Sequence, residues 1–221
     1  MRQFAVIGLG RFGSSIAKTL SEKGCQVLAI DTDEDKVQDF SEIVAQAVCL
    51  DATDEKALRA VGIENIDVAV VSVGNNIESS ILITLMLKEI GIKEVIAKSV
   101  TEEQGKVLKR VGADKIIFPE RDMGIRLASA LTSPGVSEFI GLSSECSIIE
   151  IEPPDAFIGK TLKQLNLRVE AGLNIIAIKN KDKAGHESVN PIPEADYKIG
   201  PEDKLIIVGP NKNIEIFEKR K

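Results

Sequence analysis

Short aliphatic runs alternate with amphipathic stretches along the first 118 residues of the chain. The runs are continuously apolar, which is typical of parallel strands that are covered on both faces. We predict six strands, at Phe4–Ile7, Val27–Ile30, Ala47–Leu50, Val68–Val71, Glu94–Lys98 and Lys115–Phe118. Helices are predicted between them at Phe12–Lys23, Glu34–Phe40, Glu55–Val61, Ile77–Ile90 and Glu102–Arg110. This order predicts an α/β domain with a doubly wound parallel sheet of the Rossmann type.

The pattern changes after Phe118. The stretch Glu120–Leu131 predicts one more amphipathic helix, which the breaker residues 132–135 should end. Three further strands are predicted at Ser147–Glu152, Ile175–Lys179 and Leu205–Val208, and the polar residues 180–193 predict a loop or hairpin connection. We therefore expect a first domain with a crossover helix at 1–135 and a smaller α+β domain at 136–221.

Composition and charge exclude several classes of protein. The formal net charge is −6, whereas a nucleic-acid-binding protein needs an excess of Lys and Arg to neutralise phosphates. The three cysteines form no CxxC pair, so we expect three buried thiols in a reducing cytoplasm. The chain begins without a signal peptide, and no apolar run approaches the roughly 20 residues that span a bilayer. The expected location is cytoplasmic, with a membrane reached only through a partner.

The residues Gly8, Gly10 and Gly13 form a GxGxxG motif between the first predicted strand and the first helix. In such a loop the first glycine permits a tight turn, the second lets the backbone approach a phosphate, and the third allows close helix–strand packing. The helix N-terminus adds free N–H groups and a partial positive charge. Asp31 ends the second strand, 18 residues past Gly13, and can accept hydrogen bonds from both ribose hydroxyls. The motif predicts binding of the phosphates of an adenine nucleotide.

Arg11 distinguishes this loop from an ordinary dinucleotide motif. Its guanidinium adds a full positive charge beside the phosphates and has a fork suited to bidentate contacts. It would suit a diphosphate or triphosphate at least as well as a dinucleotide. The alternative is an arginine that is only solvated.

Two more segments follow strands at the same predicted edge of the sheet. Asp51, Ala52 and Thr53 follow the third strand, and residues 74–76 follow the fourth. Ligands of open parallel sheets bind at the carboxyl ends of the strands. Asp51 and Thr53 are therefore candidates to reach the adenosine, and the equal alternative is that Thr53 caps the next helix.

The sequence contains no recognisable catalytic group beside this site. The chain has one histidine, His186, in the polar segment, and one tyrosine, Tyr197, with no lysine four residues later. Neither a Gly-x-Ser-x-Gly elbow nor an HExxH motif is present. A cofactor-type site without visible chemistry points to sensing.

Several of these motifs together resemble a known family. They are Val6–Gly13, Asp31, Asp51–Thr53 and the Pro-Glu-Arg-Asp-Met-Gly stretch within Phe118–Gly124. The chain resembles the RCK (regulator of potassium conductance) proteins, most closely the KtrA/TrkA-type cytosolic subunits of bacterial potassium uptake systems. The resemblance covers nearly the whole length, as a TrkA-N-like half and a TrkA-C-like half.

The resemblance implies a regulatory subunit that is not an enzyme. Such proteins form homodimers that assemble into an octameric ring at the inner face of the membrane, beneath an integral-membrane potassium channel or transporter. In the family ATP, ADP and sometimes NAD(H) compete for the N-terminal cleft. By matching position, Arg11 contacts the phosphates, within one protomer or across the dimer interface, and Asp31 contacts the ribose. Phe12 and Lys98 also belong to the nucleotide-binding residues. Glu120 matches a glutamate that helps to hold a divalent cation, Mg²⁺ or Ca²⁺, at the dimer interface; on composition alone it is an ordinary first-turn helix acid.

The TrkA-C-like half implies a second ligand. In some Gram-positive relatives this domain binds cyclic di-AMP at its dimer interface. The residues that match that region are Arg168 for a phosphate, Asn174 for the backbone or base, Ile175 or Ile176 for the purine face, and His186 and Pro191 nearby.

Two other functions remain open at this stage. One is an NAD-dependent oxidoreductase with a divergent catalytic site. The other is a redox sensor of the NADH-binding repressor type, which lacks support because no winged-helix segment precedes the Rossmann unit.

Overall fold

The computed structural model of the protein describes residues 2–74, 76–132, 136–143, 145–181 and 187–218. The chain forms two compact units, Met1–Arg121 and Asp122–Lys221, and a helix at Pro119–Thr132 runs through the division. The domain boundary expected after residue 135 stays a prediction, because residues 133–135 lie outside the described ranges. Within those ranges, no helix combines the length and the apolar character that crossing a bilayer requires.

A parallel sheet forms the centre of the unit Met1–Arg121. Its strands are β1 (Gln3–Ile7), β2 (Gln26–Asp31), β3 (Gln46–Cys49), β4 (Val68–Val71), β5 (Glu94–Lys98) and β6 (Lys115–Ile117). Among the described residues the order is β3-β2-β1-β4-β5-β6, and all neighbouring strands are parallel. The predicted Rossmann-type sheet is confirmed. The strand order reverses between β1 and β4, which opens a crevice outside the carboxyl ends of these two strands.

The connecting helices begin and end within one residue of their predicted bounds. They are α1 (Arg11–Glu22), α2 (Glu34–Phe40), α3 (Glu55–Ala60), α4 (Ile77–Ile90), α5 (Glu102–Arg110) and α6 (Pro119–Thr132), with a short 3-10 helix at Ile63–Asn65. The side chains of Asp33, Asp54, Asn76 and Thr101 cap α2 to α5 by accepting backbone N–H groups of the first turn. Helix α1 differs, because its N-cap is Gly10 and no side chain caps it.

Aliphatic side chains cover both faces of the sheet. Successive residues of a strand point to opposite faces, so Ala5, Ile7 and Ile30 pack in one buried cluster, while Val6 and Ala29 pack in another. All five are at most 2% exposed. The central strands are therefore held rigidly on both sides, which fixes the loops at their carboxyl ends.

The cysteines are less buried than predicted. Cys25 and Cys146 are partly buried and Cys49 is exposed, and all three are free thiols. Cys49 is exposed because it ends β3, the edge strand of the parallel sheet.

An antiparallel sheet forms the unit Asp122–Lys221. Its strands are β7 (Val136–Gly141), β8 (Cys146–Ile151), β9 (Asn174–Lys181), β10 (Glu187–Asn190) and β11 (Lys204–Pro210). In the described ranges the order is β10-β9-β11-β8-β7 with antiparallel neighbours. The α+β prediction is confirmed, and β8, β9 and β11 are the three predicted strands. The segment 180–193 contains β10, which pairs with β9 as a hairpin, whereas β7 was not predicted.

Three helices of this unit were also not predicted. They are α7 (Leu162–Leu165), α8 (Leu167–Glu170) and α9 (Asn211–Glu218), and a 3-10 helix lies at Asp155–Phe157. Two of the three, α7 and α8, have four residues each, hardly more than one turn, so they leave no hydrophobic period in the sequence. Their apolar residues Leu165, Leu167 and Phe217 pack with Ile149 and Ile207 of the sheet in one buried cluster.

Tyr197 is a structural residue of this unit. Its hydroxyl donates a hydrogen bond to Oδ2 of Asp203, over 3.0 Å, and Asp203 is 6% exposed and also accepts the N–H of Gly200. Burial, together with the bond to Asp203, raises the pKa of Tyr197 above its ordinary value of 10.0. This tyrosine is thus a partner of a buried carboxylate in the fold.

We expect the tyrosinate absorption of the intact protein to appear with a midpoint above 10.0, the ordinary value. Because the folded pKa is raised, the stabilising contribution of the neutral phenol is present below the unfolded pKa and is lost as the pH rises through the folded one. The protein has one tyrosine, so a near-ultraviolet pH titration reports Tyr197 alone. Asp203→Asn should lower the midpoint, and a wild-type midpoint at or below the ordinary value would contradict this assignment.

Candidate functional site

The glycine loop closes around the carboxyl end of β1 as predicted. Gly8 has a φ of 94°, in the region that favours glycine, and its N–H donates to the carbonyl of Ile30 over 2.7 Å. A Cβ on Gly8 would lie 3.0 Å from the backbone carbon of Ser72, just past β4. A Cβ on Gly13 would lie well under 3.0 Å from the carbonyl oxygen of Gly8. Gly8 therefore permits the turn, and Gly13 lets helix α1 pack directly against it.

Gly10 has a different environment. A Cβ on this residue would meet nothing within 4 Å, and its φ of −70° and ψ of −179° are open to any residue. The absence of a side chain is thus not required by local packing. It leaves open space directly in front of the first turn of α1.

The start of α1 presents free hydrogen-bond donors to that space. The first N–H groups of a helix have no partner inside the helix, and no acceptor among the described residues takes those of Arg11 and Phe12. The side chain of Arg11 is exposed and forms no hydrogen bond or ion pair with another described residue. Free N–H groups, the positive end of a helix and an available guanidinium together suit an anion.

Asp31 supports the loop from the end of β2. Its Oδ2 accepts the N–H of Leu9 over 2.6 Å, and its Oδ1 accepts the N–H of Asp33 over 3.0 Å. Nζ of Lys36 lies 3.8 Å from Oδ1 of Asp31 and 2.9 Å from Oδ2 of Asp33. The sequence analysis did not identify these two ion pairs. The spacing of Asp33 and Lys36, one helical turn apart, could have indicated the second of them. Asp31 therefore holds the glycine loop in addition to any role toward a ribose, which stays a prediction.

The segment after β3 contains the residue that caps helix α3. The N-cap of α3 is Asp54, whereas Thr53 donates both its N–H and its hydroxyl to Oδ1 of Asp51, over 2.9 and 2.7 Å. These bonds from Thr53 lower the pKa of Asp51. Ala52 is 4% exposed and belongs to the buried cluster beneath the sheet. The alternative in which Thr53 caps the helix is wrong, and contact of Asp51 and Thr53 with an adenosine stays a prediction.

Lys98 and Glu120 form an ion pair at the opposite side of the crevice. Nζ of Lys98, at the end of β5, lies 2.6 Å from Oε1 of Glu120 in the first turn of α6. The ammonium is also 5.9 Å from the centre of the Phe12 ring. A Cβ on Gly74 would lie 3.6 Å from this nitrogen. The predicted residues Phe12, Lys98 and Glu120 are therefore brought together, while Asn75 of the predicted 74–76 segment lies outside the described residues.

Among the described residues, Glu120 does not belong to a cluster of potential metal ligands. The described residues contain no group of three or more His, Cys, Asp or Glu placed to hold an ion. The hydrogen bond from Lys98 lowers the pKa of Glu120, so its carboxylate already has a cation as partner. A metal role for Glu120 stays a prediction.

The residues predicted for a second ligand lie along β9 and beside it. Arg168 is exposed on α8, which packs against β9. Asn174 pairs with Val208 of β11, and the register shift that follows leaves Ile176 without a partner there and 38% exposed. Ile175 packs against the buried cluster instead. Of the two isoleucines, Ile176 is the one available to a ligand.

The remaining second-ligand residues are less informative. Pro191 is exposed directly after β10, and His186 lies outside the described residues. Contact of any of these residues with cyclic di-AMP stays a prediction.

Comparison with known protein families divides the chain in two. The family model described as the TrkA-N domain matches residues 4–119. The model described as the TrkA-C domain matches residues 146–221. The first range covers the strands of the parallel sheet from Phe4 onward, and the second covers β8 to β11 of the antiparallel sheet.

Individual relatives extend the similarity over the whole chain. Ktr system potassium uptake protein C of Bacillus subtilis is 45% identical over 219 residues, which cover 99% of this chain and 97% of the relative. Ktr system potassium uptake protein A of the same organism is 42% identical over 98% of this chain and 96% of its own. Among solved structures, the Shewanella denitrificans Kef CTD in AMP bound form has a TM-score of 0.52 at 20% identity, covering 62% of this chain and 84% of that one. At that identity the last similarity shows the fold alone.

Proposed function

The chain belongs to the TrkA-N/TrkA-C family of potassium uptake regulatory proteins, and from this we propose that it is a nucleotide-sensing subunit that gates a membrane potassium channel or transporter. ATP and ADP are the proposed ligands of the crevice between β1 and β4, and NAD(H) is a further one. The relatives at 42% and 45% identity are potassium uptake proteins, which argues against the oxidoreductase alternative. The protein is a regulator and not an enzyme.

The observation that carries this proposal is the uncapped start of α1. In the same unit, α2 to α5 begin with a capping side chain, whereas α1 begins with Gly10 and open space. A phosphate would accept the N–H groups that a cap satisfies elsewhere. Arg11 stands next to those groups and supplies the charge that a polyphosphate needs.

Nucleotide binding can gate a partner only through a difference between two states. A ligand shifts a conformational equilibrium by its differential affinity for the two conformations, with coupling of about 1–3 kcal/mol in typical cases. ATP and ADP differ by one phosphate, so the residues that contact that phosphate set the difference. Arg11 is the first candidate, because it is exposed beside the loop.

Self-association is proposed as part of the function. Met123, Leu127 and Leu131 of α6 are 59%, 58% and 77% exposed. Their spacing of four residues places them in one row along the helix. An exposed apolar row of this kind marks a protein–protein contact, and it supports homodimers that assemble into an octameric ring against the membrane partner.

Two further ligands belong to this proposal. A Mg²⁺ or Ca²⁺ ion is proposed at Glu120 in the dimer interface, where a second protomer would supply further oxygen ligands. Cyclic di-AMP is proposed for the antiparallel unit, with Arg168, Asn174, Ile176 and Pro191 as its exposed contacts.

Arg11→Ala should weaken ATP binding about tenfold or more and ADP binding less, because a hydrogen bond to a charged group contributes about 1.5–3 kcal/mol. Isothermal titration calorimetry with each nucleotide measures both affinities. Lys18→Ala is the matched control, since Lys18 is an exposed cation farther along the same helix. Equal losses of ATP and ADP affinity in the Arg11 variant would count against phosphate sensing by this residue.

A further inference from the structure

A carboxylate lies directly beside the loop that is proposed to bind phosphate. Asp31 ends β2 and its side chain is 12% exposed. Its Oδ2 lies 2.6 Å from the backbone nitrogen of Leu9 in the glycine loop. A negative charge so close to an anion site opposes the binding of phosphate. Asp31 must therefore contribute something to the site that outweighs this repulsion.

The hydrogen bond to Asp31 fixes the position of Leu9. The side chain of Leu9 is 3% exposed, and its carbonyl oxygen accepts the hydroxyl of Ser14, in α1, over 2.7 Å. The preceding N–H, that of Gly8, donates to the carbonyl of Ile30. Two successive N–H groups of the loop are thus bound to the end of β2, and the second bond depends on the Asp31 side chain. Because Leu9 lies two residues before the uncapped start of α1, its position sets that of the free N–H groups.

Holding the loop does not prevent Asp31 from binding a ribose as well. Each oxygen of a carboxylate can accept about two hydrogen bonds. Oδ2 accepts the N–H of Leu9, and Oδ1 accepts the N–H of Asp33 over 3.0 Å. Nζ of Lys36, 3.8 Å from Oδ1, balances part of the negative charge. One acceptor position on each oxygen remains for the two ribose hydroxyls, so the carboxylate can keep Leu9 in place while a nucleotide is bound.

We infer that Asp31 is a positioning residue for phosphate binding, and that this role is separate from its predicted contact with the ribose. The role rests on the proposed nucleotide function and adds to it the residue that fixes the phosphate loop. Through Leu9, Asp31 holds the free N–H groups of α1 where a phosphate meets them. A nucleotide without ribose hydroxyls therefore still depends on Asp31, although it forms no bond with the carboxylate.

The test compares ATP with 2′,3′-dideoxy-ATP, which has the same phosphates but lacks both ribose hydroxyls. Titration calorimetry of the full chain measures the affinity for each nucleotide. Asp31→Ala should weaken dideoxy-ATP binding about tenfold, because Leu9 loses a hydrogen bond to a charged group, and it should weaken ATP binding more. If Asp31 contacted the ribose alone, removal of its negative charge would leave dideoxy-ATP binding unchanged or make it tighter. The direction of the change therefore separates the two roles.

Two further variants complete this experiment. Asp39→Ala is the matched control, since it removes an exposed carboxylate of α2, and it should leave both affinities within about twofold. Asp31→Asn keeps one oxygen that can accept the N–H of Leu9, so it should restore dideoxy-ATP binding to within about threefold of wild type. It should not restore the advantage of ATP over dideoxy-ATP, because two ribose hydroxyls need two acceptor oxygens.

Should Asp31→Ala fail to fold, or dideoxy-ATP bind too weakly to measure, the amide proton of Leu9 in the wild-type protein decides. Its short bond to a carboxylate should move its nuclear magnetic resonance signal downfield, and the signal should stay there when ATP binds; a return upfield would overturn the inference. A dideoxy-ATP affinity that is unchanged or higher in Asp31→Ala would overturn the positioning role while leaving nucleotide binding intact. Absence of binding of both nucleotides to the wild-type protein would overturn the proposed function and this inference with it.

Discussion

Gly13→Ala is expected to lower the free energy of unfolding by about 3 kcal/mol or more, at the upper end of the cost of overpacking a close contact. The added Cβ would lie well under 3.0 Å from the carbonyl oxygen of Gly8. That oxygen belongs to the backbone of a turn whose φ is already 94°, so it cannot move aside as a flexible side chain can. Helix α1 would have to shift away from β1 and β4, which opens the centre of the sheet.

Chemical denaturation followed by circular dichroism measures this effect, with Gly10→Ala as the matched control. A Cβ on Gly10 meets nothing within 4 Å, so the control loses only the difference between glycine and alanine at an N-cap, about 1 kcal/mol or less. The sole tyrosine, Tyr197, lies in the other unit and provides a separate signal for it. Equal destabilisation by the two substitutions would show that the close approach at Gly13 does not limit stability.

The parallel unit could be predicted almost completely from the sequence. Its strands are buried on both faces, so each appears as a continuous aliphatic run such as Val68–Val71, whose four residues are at most 5% exposed. Its helices begin at capping residues such as Asp33 and Asn76, which mark their starts. The glycine spacing also predicted the loop geometry, because Gly8 and Gly13 each answer a separate steric demand.

The antiparallel unit was harder to predict for a physical reason. Strand β10 has no buried residue among its four positions, so its hydrophobic signal is weak and only pairing with β9 defines it. The helices α7 and α8 are held by the burial of single leucines, Leu165 and Leu167, at 8% and 9% exposure. Such elements depend on contacts that are distant in sequence, and local patterns do not contain them.

The candidate site likewise combines features that the local sequence predicts with contacts that it does not predict. The roles of Gly8 and Gly13 follow from the local backbone of the turn between β1 and α1. By contrast, the pairing of Lys98 with Glu120 joins residues 22 positions apart, and the bond from Leu9 to Asp31 also spans 22. These contacts arise from the order of strands in the sheet, so sequence reasoning could name the residues but not their partners.

The second large effect is expected at Gly10, where stability and binding should separate. Gly10→Ser supplies the missing N-cap side chain, and serine and glycine differ by only a few tenths of a kcal/mol at this position. Its hydroxyl would accept the N–H groups at the start of α1 that are proposed to bind phosphate. The loss of one or two charge-assisted hydrogen bonds, each about 1.5 kcal/mol, corresponds to a roughly 10- to 100-fold weaker binding of both ATP and ADP.

Calorimetric titration measures the loss of nucleotide affinity, and chemical denaturation of the same protein sample measures the small change in stability. Gly10→Ala is the control that separates occupied space from competition for N–H groups, because alanine adds a Cβ without an acceptor. Gly10→Ala should weaken nucleotide binding less than Gly10→Ser does, but it should lower the free energy of unfolding more. The two variants therefore rank in opposite order for binding and for stability. Unchanged ATP affinity in Gly10→Ser, with the protein folded, would mean that the free donors of α1 are not the phosphate site. Since the uncapped start of this helix carries the proposed function, that result would move the search for a ligand site away from the glycine loop.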